Sequence, residues 1–329
     1  MVMDIKKPEQ LLLIFSEFLA GREFDRPPHS LYEPVSYIMA LGGKRLRPGL
    51  ALMGCQLFGR PVEDALHAAL AVEIFHNFSL LHDDIMDQAP LRRGKPTVHE
   101  RYGINAGILS GDVMLIEAYR QLCQCPSDAP LDRLLAIFNQ MAIEVCEGQA
   151  LDMDFEHRND VTLPEYLRMI EEKTAALIGA GLSLGAVIGG ADQEAQFHID
   201  AFGRNIGIAF QIQDDLLDTF GDPGQFGKKT GGDIARNKKT FLVLKAMELA
   251  NPEQQQMLNN LFHENHLPET EKIDAVKNLF IQLNIPQLAE KTKSEFQQTA
   301  MMHLQAIQKP DEYKEPIRDF ADMLFSRQT

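Results

Sequence analysis

The sequence predicts an all-α fold, and three observations lead to that prediction. Apolar residues recur at three- and four-residue steps through long stretches, which is the spacing of one buried helix face. No stretch shows the sustained alternation of apolar and polar residues, with Gly-Asn or Asp-Gly turns, that paired strands show. The breaks between helical stretches are short, and none resembles a flexible linker. We therefore expect residues 1–329 to form a single helical domain.

Five stretches carry this periodicity and are predicted to be helical. They are residues 61–87, 131–155, 163–188, 197–220 and 271–307. Proline, glycine, asparagine and serine interrupt the pattern between such stretches, and these residues favour turns. The interruptions lie at residues 26–28, 125–127, 159–160 and 221–224.

One stretch could be mistaken for a membrane span, because residues 174–191 contain no charged side chain. The stretch is barely long enough to cross a bilayer, and no second one resembles it. Its glycines permit close helix packing, in a membrane or in a protein core. We predict a central helix that is buried on all sides.

The bulk composition narrows the function classes. A net charge of −15 and a pI near 5.1 argue against a nucleic-acid-binding surface, which would need clustered lysine and arginine. The four cysteines contain no two pairs at zinc-like spacing, so we expect ordinary reduced thiols. The first residues lack the uninterrupted apolar region of a signal peptide. We therefore expect a cytoplasmic protein without a membrane span or a nucleic-acid partner.

Two acidic clusters carry the strongest chemical signal. Residues 83–87 (D-D-I-M-D) and residues 214–218 (D-D-L-L-D) each close a long apolar helical stretch. The outer aspartates of such a cluster are four residues apart, so they share one helix face and repel each other. Mg²⁺ prefers carboxylate oxygens and shares its shell with substrate phosphate. Two such clusters therefore favour metal sites on two related helices facing a shared cavity, rather than solvated acidic helix ends.

Three glycine-containing basic segments accompany the acidic clusters. They are residues 42–48 (G-G-K-R-L-R-P), residues 92–97 (R-R-G-K-P-T) and residues 227–239, which begin G-K-K-T-G-G-D. Glycine lets backbone amides approach an anion, and arginine offers a forked pair of donors to phosphate oxygens. Residues 42–48 are not a P-loop, because the upstream glycine is missing and no strand leads in. A solvated surface explains any one segment, but the neighbouring carboxylates favour phosphate binding.

Together these segments resemble the trans-isoprenyl diphosphate synthases, also called polyprenyl synthetases. The resemblance rests on residues 42–48, 80–87 with 92–94, 172–174 and 210–218, which occur in the order of that family. It implies a helical bundle of the isoprenoid synthase type with a deep central cavity, a homodimer and three bound Mg²⁺ ions. It also implies head-to-tail condensation of isopentenyl diphosphate with dimethylallyl, geranyl or farnesyl diphosphate.

Carried over by position, the resemblance gives each acidic cluster a role. Asp83 and Asp87 would bind two Mg²⁺ ions, with Asp84 supporting them. Asp214 would bind the third ion, and the other aspartates of its cluster would lie in the hydration shell. The chemistry needs no protein nucleophile: the allylic diphosphate ionises, the isopentenyl double bond attacks the cation, and a proton is lost to the released diphosphate.

The same resemblance divides the basic and polar residues between two substrates. Contacts with the allylic diphosphate are implied for Arg92, Lys173, Gln211, Lys228 and Lys238, of which Lys173 and Lys228 also count as catalytic. Contacts with isopentenyl diphosphate are implied for Lys44, Arg47, His76 and Arg93. Thr174 and Gln211 are implied to lie near the carbocation. His76 depends most on the resemblance, because a lone histidine on an apolar helix face is otherwise a core residue.

Two other functions compete with the synthase. A class I terpene cyclase also uses D-D-x-x-D, but its second metal motif contains asparagine, serine or threonine, and glutamate, whereas residues 214–218 are D-D-L-L-D. A non-catalytic homologue that binds a partner synthase would be expected to lose one acidic cluster, and both are intact.

The expected product length depends on the helix before the first cluster. Ser79, Phe78 and Phe75 lie four, five and eight residues before Asp83. Phe78 and Phe75 share a helix face, and Phe78 lies about 7.5 Å along the axis from Asp83. A bulky ring there can act as the floor for a growing chain, although both rings could simply fill the core. An aromatic residue five positions before the cluster is similar to short-chain enzymes. The cluster also lacks the two-residue insertion of many bacterial farnesyl enzymes, and Ser79 is not the second aromatic of animal ones. This combination resembles geranylgeranyl diphosphate synthases and favours C20 geranylgeranyl diphosphate over C15 farnesyl diphosphate.

Overall fold

The computed structural model describes residues 5–43, 45–221, 230–263 and 268–325. Helices dominate these residues, which confirms the all-α prediction. The first half contains α1 (Pro8–Ala20), α2 (His29–Ala40), α3 (Leu46–Leu57), a 3₁₀ turn (Val62–Ala65), α4 (Leu66–Met86), α5 (Val98–Tyr102) and α6 (Ile104–Leu122).

The second half continues the helical pattern. It contains α7 (Leu131–His157), α8 (Leu163–Ile170), a π-helical turn (Glu171–Ala175), α9 (Ala176–Ile188), α10 (Gln193–Phe220), α11 (Gly232–Ala235), α12 (Phe241–Leu249), α13 (Pro252–His263), α14 (Glu269–Gln282), α15 (Ile285–Ala306) and α16 (Asp311–Phe325).

The chain divides into two compact units, each assembled from separate stretches. Unit 1 comprises Met1–Ala142, Leu177–Asp200 and Ala306–Phe320. Unit 2 comprises Ile143–Ala176, Ala201–Gln305 and Ala321–Thr329. The expectation that residues 1–329 form a single domain stays a prediction.

In unit 1, α3 and α9 pack with their backbones in contact. A Cβ on Gly185 of α9 would lie 1.8 Å from the Ala51 carbonyl oxygen, and a Cβ on Gly54 of α3 would lie 2.2 Å from the Leu182 oxygen. Residues 175–188 are buried on every side, as predicted for the uncharged stretch. Among the helices of the described residues, none combines the length and apolar character needed to cross a bilayer.

A small hairpin in unit 1 was not evident from the sequence pattern. Strand β1 (Leu91–Arg92) pairs antiparallel with β2 (Lys95–Pro96) through the two residues Arg93 and Gly94. Both turn residues have positive φ, 53° and 73°, as a type I′ hairpin turn requires. Arginine is unusual in this conformation, and backbone strain of this kind concentrates at functional sites.

The core of unit 2 lies under α10 and α12. Ile212, Phe241 and Phe280 are fully buried there. α8 enters this core with a capping box, in which Thr162 and Glu165 exchange hydrogen bonds between side chains and backbone amides. The same unit carries the second acidic cluster.

Candidate active site

The first acidic cluster lies at the C-terminal end of α4, where a nearby arginine holds its middle carboxylate. Asp84 is buried, and Arg92 of β1 donates from Nε and Nη2 to its two carboxylate oxygens, at 2.7 Å each. The same guanidinium lies 3.6 Å from Asp83, whose side chain is 19% exposed. Asp87 caps the helix and is exposed. A bidentate pair of this kind fixes both partners in orientation.

The second acidic cluster lies at the end of α10, and neutral donors hold its middle carboxylate. Asp215 is buried, and its Oδ2 accepts hydrogen bonds from the Tyr166 hydroxyl at 2.5 Å and from the Phe241 amide at 2.9 Å. Gln211 Nε2 lies 3.5 Å from Oδ1. Burial raises the pKa of Asp215 to about 7, while the hydrogen bonds from Tyr166 and Phe241 oppose that rise.

The last aspartate of the second cluster, Asp218, accepts hydrogen bonds from the start of α11. The Asp218 carbonyl oxygen accepts from the Gly231 amide at 2.6 Å, and its Oδ2 accepts from the Asp233 amide at 2.9 Å. Asp218 therefore holds the first turn of α11. Asp214, which was predicted as a metal ligand, is exposed.

The donor set of both clusters fits magnesium. Each cluster buries its middle carboxylate in protein hydrogen bonds and leaves its first one more exposed, and all its ligand atoms are hard oxygens. Within the described part of the chain, no three acidic, histidine or cysteine side chains already converge on one point as metal ligands. Mg²⁺ commonly takes one or two carboxylates and completes its shell with water and substrate phosphate, so these residues fit that use.

A cavity of about 490 Å³ in unit 2 brings several predicted residues together. Four of the predicted substrate contacts line it, as does the middle aspartate of the second cluster: Lys173, Thr174, Gln211, Lys238 and Asp215. Three further residues line the cavity, Asp152, Tyr166 and Asp233, and none of them was predicted to be functional from its sequence context. A concave site lined by both positively and negatively charged side chains is suited to a small charged ligand.

The π-helical turn after α8 carries Lys173 and Thr174 to this cavity. Gly148 of α7 allows the turn to approach, because a Cβ there would lie 2.3 Å from the Lys173 amide nitrogen. Lys173 Nζ donates to Asp152 Oδ2 at 2.6 Å. Gly148 and Asp152 are four residues apart and share one face of α7, which is the signal by which Asp152 could have been found.

Lys238 follows a residue with left-handed backbone. Asn237 has φ 59°, a conformation that asparagine tolerates better than most residues. The buried Lys272 of α14 donates from Nζ to Asn237 Oδ1 and lies 5.3 Å from the Phe262 ring centre. Burial lowers the pKa of Lys272. The buried lysine therefore fixes the turn that presents Lys238 to the cavity.

Three residues predicted to bind isopentenyl diphosphate lie in the described part of unit 1. Arg47 Nη1 donates to His76 Nε2 at 3.2 Å. Burial and then the charge of Arg47 hold the pKa of His76 well below its ordinary value, so the imidazole accepts as a neutral ring. The Arg93 guanidinium lies flat against Gly43, where a Cβ would be 2.9 Å away. Lys44 and Lys228 lie outside the described residues.

The predicted chain-length residues form part of an aromatic cluster in unit 1. The rings of Phe75 and Phe78 are 5.4 Å apart, and Phe75 is also 5.4 Å from Phe138 of α7. Phe75 and Phe78 are 1% and 9% exposed. Ser79 turns its hydroxyl back to the His76 carbonyl oxygen at 2.9 Å. Phe138 is far away in sequence, and nothing in the periodicity marked it as a neighbour.

Comparison with known proteins identifies a family to which this chain is similar. The family model described as polyprenyl synthetase matches residues 28–280. A short chain isoprenyl diphosphate synthase of Methanothermobacter thermautotrophicus is 42% identical over 234 residues, which are 71% of this chain and 72% of that protein.

Solved structures superpose on nearly the full length of the chain. A crystal structure of geranylgeranyl pyrophosphate synthase superposes with a TM-score of 0.92 at 44% identity, covering 98% of this chain and 100% of the other. A geranylgeranyl pyrophosphate synthase from Corynebacterium glutamicum, complexed with isoprenyl diphosphate and magnesium, superposes with a TM-score of 0.83 at 30% identity and covers 99% and 100% of the two chains. Matched in motif order, in fold and over most of its sequence, the protein belongs to the polyprenyl synthetase family of prenyltransferases.

Proposed function

We propose that this enzyme condenses isopentenyl diphosphate with allylic diphosphates, head to tail, and releases geranylgeranyl diphosphate. The observation that carries the proposal is the pairing of two D-D-x-x-D clusters with basic side chains that face them or line a cavity beside them. Geranylgeranyl synthases among the similar structures support the C20 product. The ring of Phe78, close to the first cluster, supports a short product.

The proposed roles follow from what each side chain can do. Arg92, Lys173, Gln211, Lys228 and Lys238 bind the allylic diphosphate and orient its C–O bond. Bound Mg²⁺ adds charge neutralisation as that diphosphate leaves. Lys173 pairs with Asp152 in the structure and must transfer part of that interaction to a phosphate oxygen when substrate binds. Thr174 and Gln211 offer oxygen dipoles near the developing allylic cation.

We assign the metal ligands by the same proposal. Asp83 and Asp87 hold two Mg²⁺ ions, and Asp214 holds a third, with Asp215 and Asp218 in its hydration shell. Asp84 acts through Arg92, since its two oxygens are already bonded to that guanidinium. A magnesium titration followed by isothermal calorimetry, with a bisphosphonate as a stand-in for the diphosphate, tests the number of ions bound.

The second substrate is assigned to the basic groups near the start of α3. Lys44, Arg47, His76 and Arg93 bind isopentenyl diphosphate in this proposal. Arg47 and His76 already lie within hydrogen-bond distance of each other. A neutral His76 can accept from arginine through one nitrogen and donate to a phosphate oxygen through the other.

Product analysis tests the function directly. The purified protein is incubated with labelled isopentenyl diphosphate and, separately, with dimethylallyl, geranyl and farnesyl diphosphate, and the dephosphorylated alcohols are separated by chromatography. We expect geranylgeraniol as the main alcohol, loss of activity with EDTA, and recovery with Mg²⁺. A cyclic hydrocarbon formed without isopentenyl diphosphate would indicate a terpene cyclase. A chain that forms product only with an added synthase would indicate a partner subunit.

We further propose a homodimer that buries the outer face of α6. Large aliphatic side chains are exposed along this face: Ile104, Ile108, Leu109 and Ile116 at 56%, 42%, 60% and 65%. Their opposite face is buried against unit 1, so the exposed row follows the helix periodicity. Covering such a row with a second copy removes apolar surface from water. Light scattering should give a dimer mass for the wild type and a monomer mass for Ile116→Asp with Leu109→Asp.

A further inference from the structure

Arg45 lies within the basic segment of residues 42–48, yet its side chain is largely shielded from solvent. The side chain is 11% exposed. Its backbone lies in the left-handed region, at φ 49° and ψ 35°, just before α3 begins at Leu46. A residue with a side chain adopts this region only where its surroundings hold it there.

Two protein groups hold the Arg45 guanidinium. Nη1 donates to Glu73 Oε1 of α4, whose side chain is 3% exposed, and Nη2 donates to the Met39 carbonyl oxygen of α2 at 2.6 Å. Asn77 Nδ2 donates to the same Glu73 oxygen at 2.9 Å. A buried ion pair adds little net stability, because desolvation offsets the attraction, but it fixes the geometry of its two partners.

A second contact joins the same two segments. Arg47, two residues after Arg45, donates to His76 Nε2 at 3.2 Å. Glu73 and His76 are three residues apart on α4, so they share one helix face. The contacts Arg45–Glu73 and Arg47–His76 therefore connect the start of α3 to one face of α4 at two adjacent points.

The positive charges near residues 42–48 explain why a carboxylate, that of Glu73, is needed beside this segment. The charges of Arg45, Arg47, Arg92 and Arg93 all act on His76. Glu73 opposes this positive potential, and its charge also acts on Arg93. A group of arginines attracts a diphosphate, but the arginines repel one another until it arrives. A fixed, buried carboxylate keeps one of them in place without facing the ligand.

We propose that Arg45 and Glu73 are positioning residues for Arg47 and His76. Their ion pair holds the left-handed turn before α3, and that turn sets where the Arg47 guanidinium and the His76 ring meet. Arg45 does not contact substrate in this account. The inference rests on the proposed function, which assigns Arg47 and His76 to isopentenyl diphosphate.

The test measures Michaelis constants for both substrates in Arg45→Lys and Glu73→Gln. Arg45→Lys keeps the charge but loses the fork that reaches Glu73 and Met39 together. We expect both variants to raise KM for isopentenyl diphosphate about tenfold, with KM for farnesyl diphosphate and kcat changed by less than about threefold. Arg60→Lys is the matched control, because Arg60 also bridges carboxylates and a backbone oxygen, at Asp64, Asp128 and Ile188. It should leave both Michaelis constants unchanged.

Other results would overturn the assignment. A lower melting temperature with unchanged KM would make the pair a structural one, as would loss of the fold in both variants. Equal increases of both Michaelis constants would indicate a general disturbance. Arg47→Ala separates this inference from the proposed function beneath it. If Arg47→Ala leaves KM for isopentenyl diphosphate unchanged, the substrate assignment is wrong; if it raises that KM while Arg45→Lys and Glu73→Gln do not, only the positioning role is wrong.

Discussion

The two acidic clusters share one sequence pattern but differ in how the protein holds them. In the first, the middle carboxylate of Asp84 is neutralised by Arg92, which lies 8 residues further along the chain. In the second, the middle carboxylate of Asp215 meets the neutral donors Tyr166 and Phe241, which are 49 and 26 residues away. The middle carboxylate of the first cluster is therefore paired with a positive charge, whereas the hydrogen bonds to the middle carboxylate of the second come from neutral groups.

The difference shows what the repeated motif does and does not specify. The spacing of D-D-x-x-D places the outer carboxylates on one helix face in both copies. The environment of the middle carboxylate comes from other elements, a hairpin in one case and α8 with the first residue of α12 in the other. The middle carboxylate of the first cluster thus has its counter-charge close by in sequence, while the middle carboxylate of the second depends on the packing of unit 2.

Replacing the first aspartate of each cluster tests whether the two clusters are equally necessary for turnover, and we expect the largest effect from these changes. Asp83→Ala and Asp214→Ala should each lower turnover about a thousandfold, because each removes a proposed ligand of a catalytic cation. Circular dichroism should show an unchanged helical content. Asp132→Ala, at an exposed position in the first turn of α7, is the control and should leave turnover unchanged. Near-normal turnover of either cluster variant at saturating Mg²⁺ would contradict the assigned roles.

The groups that hold the two buried carboxylates provide the second comparison. Replacing them should have a smaller effect, measured as a change in the free energy of unfolding. Arg92→Met should lower the free energy of unfolding by about 3 kcal/mol, because it leaves the buried Asp84 without its counter-charge. Tyr166→Phe should lower it by about 1 kcal/mol, since Asp215 keeps its other donors. Urea unfolding without Mg²⁺ measures both. Equal losses of unfolding free energy in the two variants would show that the charge of the partner does not affect stability at these carboxylates.

The residues that precede each cluster provide the third comparison. Here we expect the smallest change in turnover but a clear change in product length. Five and eight residues before Asp83 are Phe78 and Phe75, whereas the equivalent positions before Asp214 are Ala209 and Ile206. Phe78→Ala with Phe75→Ala should lengthen the products by one or more C5 units, because it removes the proposed floor. Ile206→Ala is the matched control on the second helix. Chromatography of the alcohols should show longer chains only for the first variant, and an unchanged product spectrum would place the floor elsewhere.

Periodicity predicted the helices well because each apolar stripe is a local property. The stripe at residues 61–87 became α4, and the stripe at residues 131–155 became α7. The stripe at residues 271–307 is divided between α14 and α15 around Asn284, whose φ of 55° ends the first helix. An asparagine in that place is a weak signal, and the apolar pattern continues across it.

The candidate site was predictable where its residues lie in local motifs. The two acidic clusters, Lys173 and Gln211 fall within short recognisable segments. Asp152, Tyr166 and Lys272 do not, because their importance arises from contacts between distant parts of the chain. The hairpin turn was missed for a related reason: Arg93 breaks the usual residue preference at a left-handed position, and sequence rules fail most often where function imposes strain.

The π-helical turn at Glu171–Ala175 bears on how this segment tolerates insertions and deletions. A π-helical turn contains one residue more than the α-helical turn it replaces. Deleting one residue before Lys173 would restore regular α-helical hydrogen bonding and leave the faces of α9 unchanged, because the π turn already accommodates the extra residue. Lys173 and Thr174 lie inside the turn, so they would shift from their present positions at the cavity they line. With one residue fewer in this turn, the helix would be more regular and the enzyme less active.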